Sequence, residues 1–336
     1  MFDRRTLQEN QHGHTHGHTY GAVDPSLFTT KKGIWAIKWS FVGLIVTALF
    51  QVVIVIFSGS VALLADTIHN FGDAATAIPL WIAFTLVRWK PNKRFTYGYG
   101  RVEDLAGVAI VLTILFSAVV AGYESVDRIF HPRKVEYLWA VIAASVVGFL
   151  GNEAVALFRI KVGKEIGSAA LIADGYHARV DGLTSLAVLF GAVGVWLGYP
   201  LADPVVGLVI TAAIFGIVLE SGKVVFIRLL DGVDPDVVDD ITHIINHAQG
   251  VLDVAEVRVR WLGHHLHAEA NIAVDPELSV EEGHEIAKAV RHQLLHHVRF
   301  LTSVVIHVDS LPRSGEKHHC IAEHVHDDLP PHSHLY

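Results

Sequence analysis

Cysteine is nearly absent. Cys320 is the only one in the chain, so no intramolecular disulfide can brace the fold. Charge is scarce as well. Asp, Glu, Lys and Arg supply 18% of the residues and hydrophobic types 51%, with a mean hydropathy of +0.41. Soluble domains carry about 25% charged residues, so a chain of 336 residues with this balance reads as a membrane protein. The net charge of −8 argues against nucleic-acid binding, which asks for a basic face. No GxxxxGK[ST] loop occurs, so ATP drive is not expected, nor is any organic cofactor. No HExxH occurs either. His284-Glu285 is the near match, but position 288 is Lys288 and the stretch lies outside the apolar region, which weakens the reading as an intramembrane metalloprotease. The chain opens Met1-Phe2-Asp3-Arg4-Arg5 and turns polar, so no signal peptide is expected.

What is present is a repeated polar motif inside apolar sequence. Leu63-Leu64-Ala65-Asp66-Thr67-Ile68-His69-Asn70-Phe71-Gly72-Asp73 and Leu171-Ile172-Ala173-Asp174-Gly175-Tyr176-His177-Ala178-Arg179-Val180-Asp181 both spell L-[LI]-A-D-x-x-H-x-x-x-D. Thr76 and Thr184 extend the match. On a helix, residues four apart share a face, so each copy sets an imidazole beside a carboxylate with a second carboxylate one turn earlier. Each ionisable group costs about 3 kcal/mol to insert at the centre of a membrane helix. Matched histidines and acids at that cost point to a cation site with His69 and Asp73 from one helix and His177 and Asp181 from the other. The competing reading is a pair of buried hydrogen-bonded networks joining two helices. Two imidazoles and two carboxylates form a four-coordinate N/O set that suits Zn²⁺. Asp66 and Asp174 are placed to take the other ring N–H of each histidine and fix its tautomer. Zn²⁺ binds the deprotonated ligands, so protons compete for the same atoms and serve as the counter-ion.

Six apolar segments, each near the ~20 residues that cross a bilayer, are expected at about 34–57, 61–87, 105–123, 138–158, 169–197 and 201–219. Trp35, Trp89, Trp139 and Trp196 fall near segment ends, at the lipid headgroup level. The loop after segment two carries Arg88, Lys90, Lys93, Arg94 and Arg101, and the loop after segment four carries Arg159, Lys161 and Lys164. The turns after segments one and five carry no Lys or Arg. The positive-inside rule then puts both termini in the cytoplasm. Arg128, Arg133 and Lys134 after segment three are an exception, accompanied by acids. Glu153 reads equally as the lining of a wet entrance or as a solvated helix end, and Asp203 reads as a helix cap.

The expected organisation has four parts. Residues 1–33 are a His-rich cytoplasmic tail, built on Gln11-His12-Gly13-His14-Thr15-His16-Gly17-His18, that collects metal loosely. Residues 34–230 form an all-α six-helix transmembrane bundle. Residues 231–311 form a small cytoplasmic α+β domain of order αββαβ, with strands at about 254–261, 265–274 and 304–308 and a capping box at Ser279 to Glu282. Residues 312–336 are a second His-rich tail. Most histidines of the α+β domain are expected at its surface, with a subset available to metal.

These residues resemble the cation diffusion facilitator family of metal/proton antiporters over about 34–311. Ala173 to Asp181 is similar to that family's A-D-x-x-H-x-R-x-D, and Tyr97-Gly98-Tyr99-Gly100-Arg101-Val102-Glu103 to its [FY]-G-[HY]-G-[KR]-x-E. The resemblance implies a metallochaperone-like (ferredoxin-like) cytoplasmic domain and a homodimer in the plasma (inner) membrane, in contact with lipid. It implies that His284, His307 and Asp309 fall where cytoplasmic, regulatory metal ligands fall, and that Arg101 pairs with Asp231 as a lock at a dimer interface. A minor interfacial site is not expected, because Asn92, Phe95 and Tyr99 stand where other members carry its ligands. Asn271 and Ala255 fill two cytoplasmic ligand positions, so that cluster is incomplete or is rebuilt with His265 or His267. The implied function is Zn²⁺ efflux against protons. Co²⁺, Cd²⁺ or Ni²⁺ efflux by the same mechanism is the alternative, and a non-transporting metal sensor is the weaker rival.

Overall fold

The computed structural model describes residues 25–58, 77–131, 137–199 and 201–311. Residues 1–24 of the first tail, the second tail with Cys320, and the first motif copy with Asp66, His69 and Asp73 lie outside the described residues, whereas residues 25–33, expected in the first tail, open helix α1. Among the described residues six apolar helices come first: α1 (Pro25–Ser58), α2 (Ala77–Val87), α3 (Arg101–Phe130), α4 (Leu138–Ile166), α5 (Ala169–Trp196) and α6 (Ala202–Leu229). Five of them are long and apolar enough to cross a membrane, and α2 is a shorter apolar helix. A C-terminal α+β domain follows, built from α7 (Pro235–Asn246), β1 (Asp253–Leu262), β2 (His265–Val274), α8 (Val280–His297) and β3 (Leu301–Ser310).

Four helices outrun the spans expected from apolarity alone: α1 begins at Pro25 instead of about 34, and α4 continues to Ile166 instead of about 158. Helix α3 has 30 residues against an expected 105–123, and α6 has 28 against 201–219. At 1.5 Å per residue α3 is about 45 Å long, the thickness of a bilayer with its headgroup layers. The extra turns are polar: Glu103 and Asp104 sit in the first turn of α3 and Arg128 in its last, matching the helix dipole.

Helix α5 is the central helix of the bundle, packed against α4, α6, α3 and α2. Its junction with α4 is tight. Gly167 adopts a left-handed φ of 73° to end α4, and the Ser168 hydroxyl accepts a hydrogen bond from Leu171 N at 3.0 Å to start α5. Two glycines then let the backbones approach. A Cβ on Gly163 would stand 2.7 Å from Ile172, and one on Gly175 would stand 2.7 Å from Ile160. In lipid, helix association rests on such small-residue packing rather than on a hydrophobic drive. The outward residues are large and apolar, among them Phe116, Leu150 and Leu219.

The C-terminal sheet has the order β1-β2-β3, with β1 and β2 antiparallel and β2 and β3 parallel. The parallel pair requires a crossover, which α8 supplies. One sheet face carries Val257, Val259, Trp261, Leu266, Ala268, Ala270, Ile272 and Val304 into a core with Ile241 and Ile245 of α7 and Val290 and Leu294 of α8. Strand alternation puts Glu256, Arg258, Glu269, Asn271 and His307 on the other face, around a shallow pocket of about 230 Å³. The αββαβ order matches expectation, with β3 longer than expected because Leu301 pairs with Leu266 at its start.

Candidate metal centre

His177 and Asp181 lie one turn apart on α5, with His177 Nδ1 3.9 Å from Asp181 Oδ1. Both are buried, His177 at 1% and Asp181 at 9% exposure. The Asp181 backbone carbonyl accepts from Thr184 Oγ1 at 2.8 Å and Ser185 Oγ at 3.1 Å, which holds the turn beneath the carboxylate. A polar seam continues toward α1 and α4. Asn152 packs beside Gly182, and a Cβ on Gly148 would meet Ser185 Oγ at 2.8 Å and Gln51 Nε2 at 3.0 Å. Gln51 is itself buried and donates to Ala144 O at 3.4 Å. Half of the expected four-ligand set is thus assembled by α5. The other half, His69 and Asp73, lies outside the described residues.

Asp174 sits one turn before His177, as its spacing requires, and is fully buried. Its carboxylate meets Arg159 of α4, with Nη1 3.0 Å from Oδ2. The sequence alone places Arg159 among the loop charges. It is instead 1% exposed inside the helix, because the glycine contacts between α4 and α5 bring it onto Asp174. Glu153 also has a specific partner: Arg179 contacts both of its carboxylate oxygens, the shorter distance being 2.7 Å. Asp203 does not cap α6. The N-cap is Leu201, and Asp203 accepts from Arg128 Nη1 at 2.9 Å, pairing the end of α3 with the start of α6.

Arg101 and Asp231 do come together. Arg101 Nη2 donates to Asp231 Oδ1 within a single chain, while its Nη1 reaches Arg228 O at 3.0 Å. The turn carrying Asp231 has φ 63° and ends α6. Beside this pair is a joint that the sequence reading missed. The hairpin tip between β1 and β2 inserts His264 against the membrane helices at 0% exposure. Its Nδ1 lies 2.6 Å from Glu103 Oε2 of α3 and its Nε2 3.1 Å from Thr30 Oγ1 of α1. Gly263 N donates to Asp104 at 3.3 Å. Arg228 of α6 stacks on Trp261, 4.0 Å from the ring centroid. His264 thus departs from the expected surface placement. The available signal was Glu103 and Asp104 in a run otherwise entering the membrane, which need partners from outside their own helix.

In the C-terminal domain, His307 Nε2 lies 3.0 Å from Asp309 Oδ1, on the sheet face away from the helices. His284 is exposed on α8, which covers the opposite face. Among the described residues no three His, Cys, Asp or Glu side chains converge as a metal cage, so His284 does not join His307 and Asp309 within one chain. Asn271 pairs in register between Glu256 and His307. Burial and the Arg260 charge hold His267 below the usual histidine pKa.

The comparisons agree with this architecture. Residues 37–230 match the cation efflux transmembrane domain and residues 233–311 the cation efflux protein cytoplasmic domain. A "Probable cation efflux system protein" of Mycobacterium tuberculosis is 55% identical over 286 residues, covering 85% of this chain and 86% of that one. Magnetosome protein MamB of Magnetospira is 30% identical, covering 79% and 91% respectively. Metal tolerance protein 2 of Oryza sativa is 27% identical, covering 76% and 72%. A solved structure of a MamM CTD variant, in a manganese form, is 32% identical over 23% of this chain and 96% of its own, with a TM-score of 0.22. A matched domain spanning more than half the chain, joined to a matched C-terminal domain and a relative 55% identical, establishes that this integral membrane protein belongs to the cation diffusion facilitator, or cation efflux, family of metal-ion transporters.

Proposed function

We propose that this protein carries Zn²⁺ out of the cytoplasm in exchange for protons, through His69, Asp73, His177 and Asp181. The observation that supports this best is the buried His177–Asp181 pair on the central helix, whose sequence context recurs at His69 and Asp73. Imidazole with carboxylate favours a borderline cation over hard ions, which prefer all-oxygen cages, and over soft ions, which prefer sulfur. Histidine titrates near pH ~6.5, so a modest proton gradient biases the site between loaded and empty. Basic loops support a cytoplasmic location for the termini and the C-terminal domain, in a protein we assign to the plasma (inner) membrane. The matched cytoplasmic domain supports a homodimer, and the Arg101–Asp231 pair is our candidate for a lock at its interface.

Flux in proteoliposomes tests the reading. An imposed proton gradient should drive Zn²⁺ uptake, and Asp73→Ala or Asp181→Ala should abolish it while the purified protein remains folded. Full flux in either variant would remove these residues from the site. A panel of Zn²⁺, Co²⁺, Cd²⁺ and Ni²⁺ ranks the cargo, and binding without flux of any ion would favour a sensor.

A further inference from the structure

Helix α7 presents two exposed histidines one turn apart, with His243 in the helix and His247 at its C-cap. Their ring centroids are 4.2 Å apart and the rings are tilted by 44°. The opposite face of the helix is fixed by Ile241 and Ile245 in the core, so both imidazoles are held outward. His247 Nδ1 lies 2.8 Å from the His243 carbonyl oxygen. A carbonyl only accepts, so Nδ1 carries the proton and Nε2 keeps its lone pair, the tautomer a metal ligand needs. Helix α8 repeats the arrangement with exposed His292 and His296, 4.3 Å between centroids and tilted by 56°. Neither pair belongs to the membrane motif or to the His307–Asp309 face.

We infer that His243 and His247 form a two-point chelate for a borderline transition-metal cation, with His292 and His296 a second chelate of the same kind. Imidazoles at i and i+4 on one helix face are a spacing that lets both nitrogens reach one ion, at about 2.0–2.1 Å each for zinc. Two protein ligands leave the remaining positions to water, so such an ion exchanges readily. That suits a docking point for metal in transit and not a structural anchor. The location fits: His243 and Asp240 line a cleft of about 960 Å³ that runs to Ile227 and Arg228 at the end of α6 and to Trp261. An ion held there stands beside the joint between the two domains. The inference does not depend on which ion the membrane site carries.

Histidine acylation by diethyl pyrocarbonate, read by peptide mass spectrometry on the full-length protein in detergent, tests it with Zn²⁺ as the probe. Zn²⁺ should suppress modification of His243 and His247 with one shared midpoint. In His243→Gln, His247 should regain full reactivity at every Zn²⁺ concentration, while His292 and His296 stay protected. His296→Gln should do the converse. Amide exchange in α7 and α8 confirms that the exposed substitutions leave the fold intact. Persistent protection of His247 in His243→Gln, or full reactivity of both α7 histidines at every Zn²⁺ concentration tested, would overturn the chelate. Loss of Zn²⁺ flux has no bearing on these readouts, so failure of the transport reading remains separate.

Discussion

Arg159 and Asp174 place a cation and an anion, each no more than 1% exposed, 3.0 Å apart between α4 and α5. Removing one partner of a buried pair leaves the other charge uncompensated and costs about 3–5 kcal/mol, whereas replacing both is often neutral. Arg159→Met should therefore lower thermal stability sharply, and Arg159→Met with Asp174→Asn should recover most of it, as read by unfolding in detergent. A different result identifies the role expected from spacing. If Asp174→Asn spares stability but weakens Zn²⁺ binding about 10- to 100-fold by calorimetry, the carboxylate acts through His177. The ligands themselves set selectivity. His69→Asp exchanges nitrogen for oxygen and should widen transport toward harder ions such as Mn²⁺; an unchanged ion panel would take His69 out of the site.

The β1–β2 hairpin is the element that couples the two domains. Gly263 has φ 61°, and a Cβ there would stand 2.8 Å from Glu103 Oε2 and 2.9 Å from Gly100 O. Gly263→Ala should cost more than about 1 kcal/mol, through backbone strain and lost contact together. Amide exchange at 262–266 would report it, and unaltered protection would show that the tip is not pressed onto α3. Strand β2 carries a pH dependence. His267 is held below its ordinary pKa of 6.5, by burial first and by Arg260 next. The unfolded chain then binds the proton more tightly, so this contribution is complete above the unfolded pKa and is lost as pH falls through it toward the lower folded value. The protection of β2 amides, taken relative to their intrinsic exchange rate at each pH, should fall between pH 7 and 5, and His267→Gln should flatten that change. An identical pH profile in the variant would assign the effect elsewhere.

Across the whole molecule, the C-terminal domain is tied to the bundle by polar contacts from three membrane helices. His264 reaches α1 and α3, Arg101 of α3 reaches Asp231, and Arg228 of α6 stacks on Trp261. His264→Ala leaves the Glu103 carboxylate buried without this partner, a loss of about 3 kcal/mol for a charged group. The expected outcome is faster exchange at the start of α3 and at the hairpin tip, with the core around Ile272 and Leu294 unchanged. Uniform loss of protection through the α+β core would instead make His264 part of that domain's own stability.

Apolar runs, basic loops and the repeated D-x-x-H-x-x-x-D determined by themselves that this chain reads as a membrane protein with a candidate cation site. Each follows from local chemistry: lipid excludes charge, so the few charges left inside mark function. Period-2 alternation in 254–261 and the Ser279–Glu282 box likewise made the α+β domain legible, because strand faces and capping depend on near neighbours. Only the tertiary structure decided where Arg159, Glu103 and His264 belong. Their positions depend on partners 15 to 234 residues away along the chain, brought together by glycine-mediated helix contact and by a hairpin tip folded back onto the bundle. No spacing rule covers such pairs, since their distance is set by how helices pack and not by the turn of any one of them.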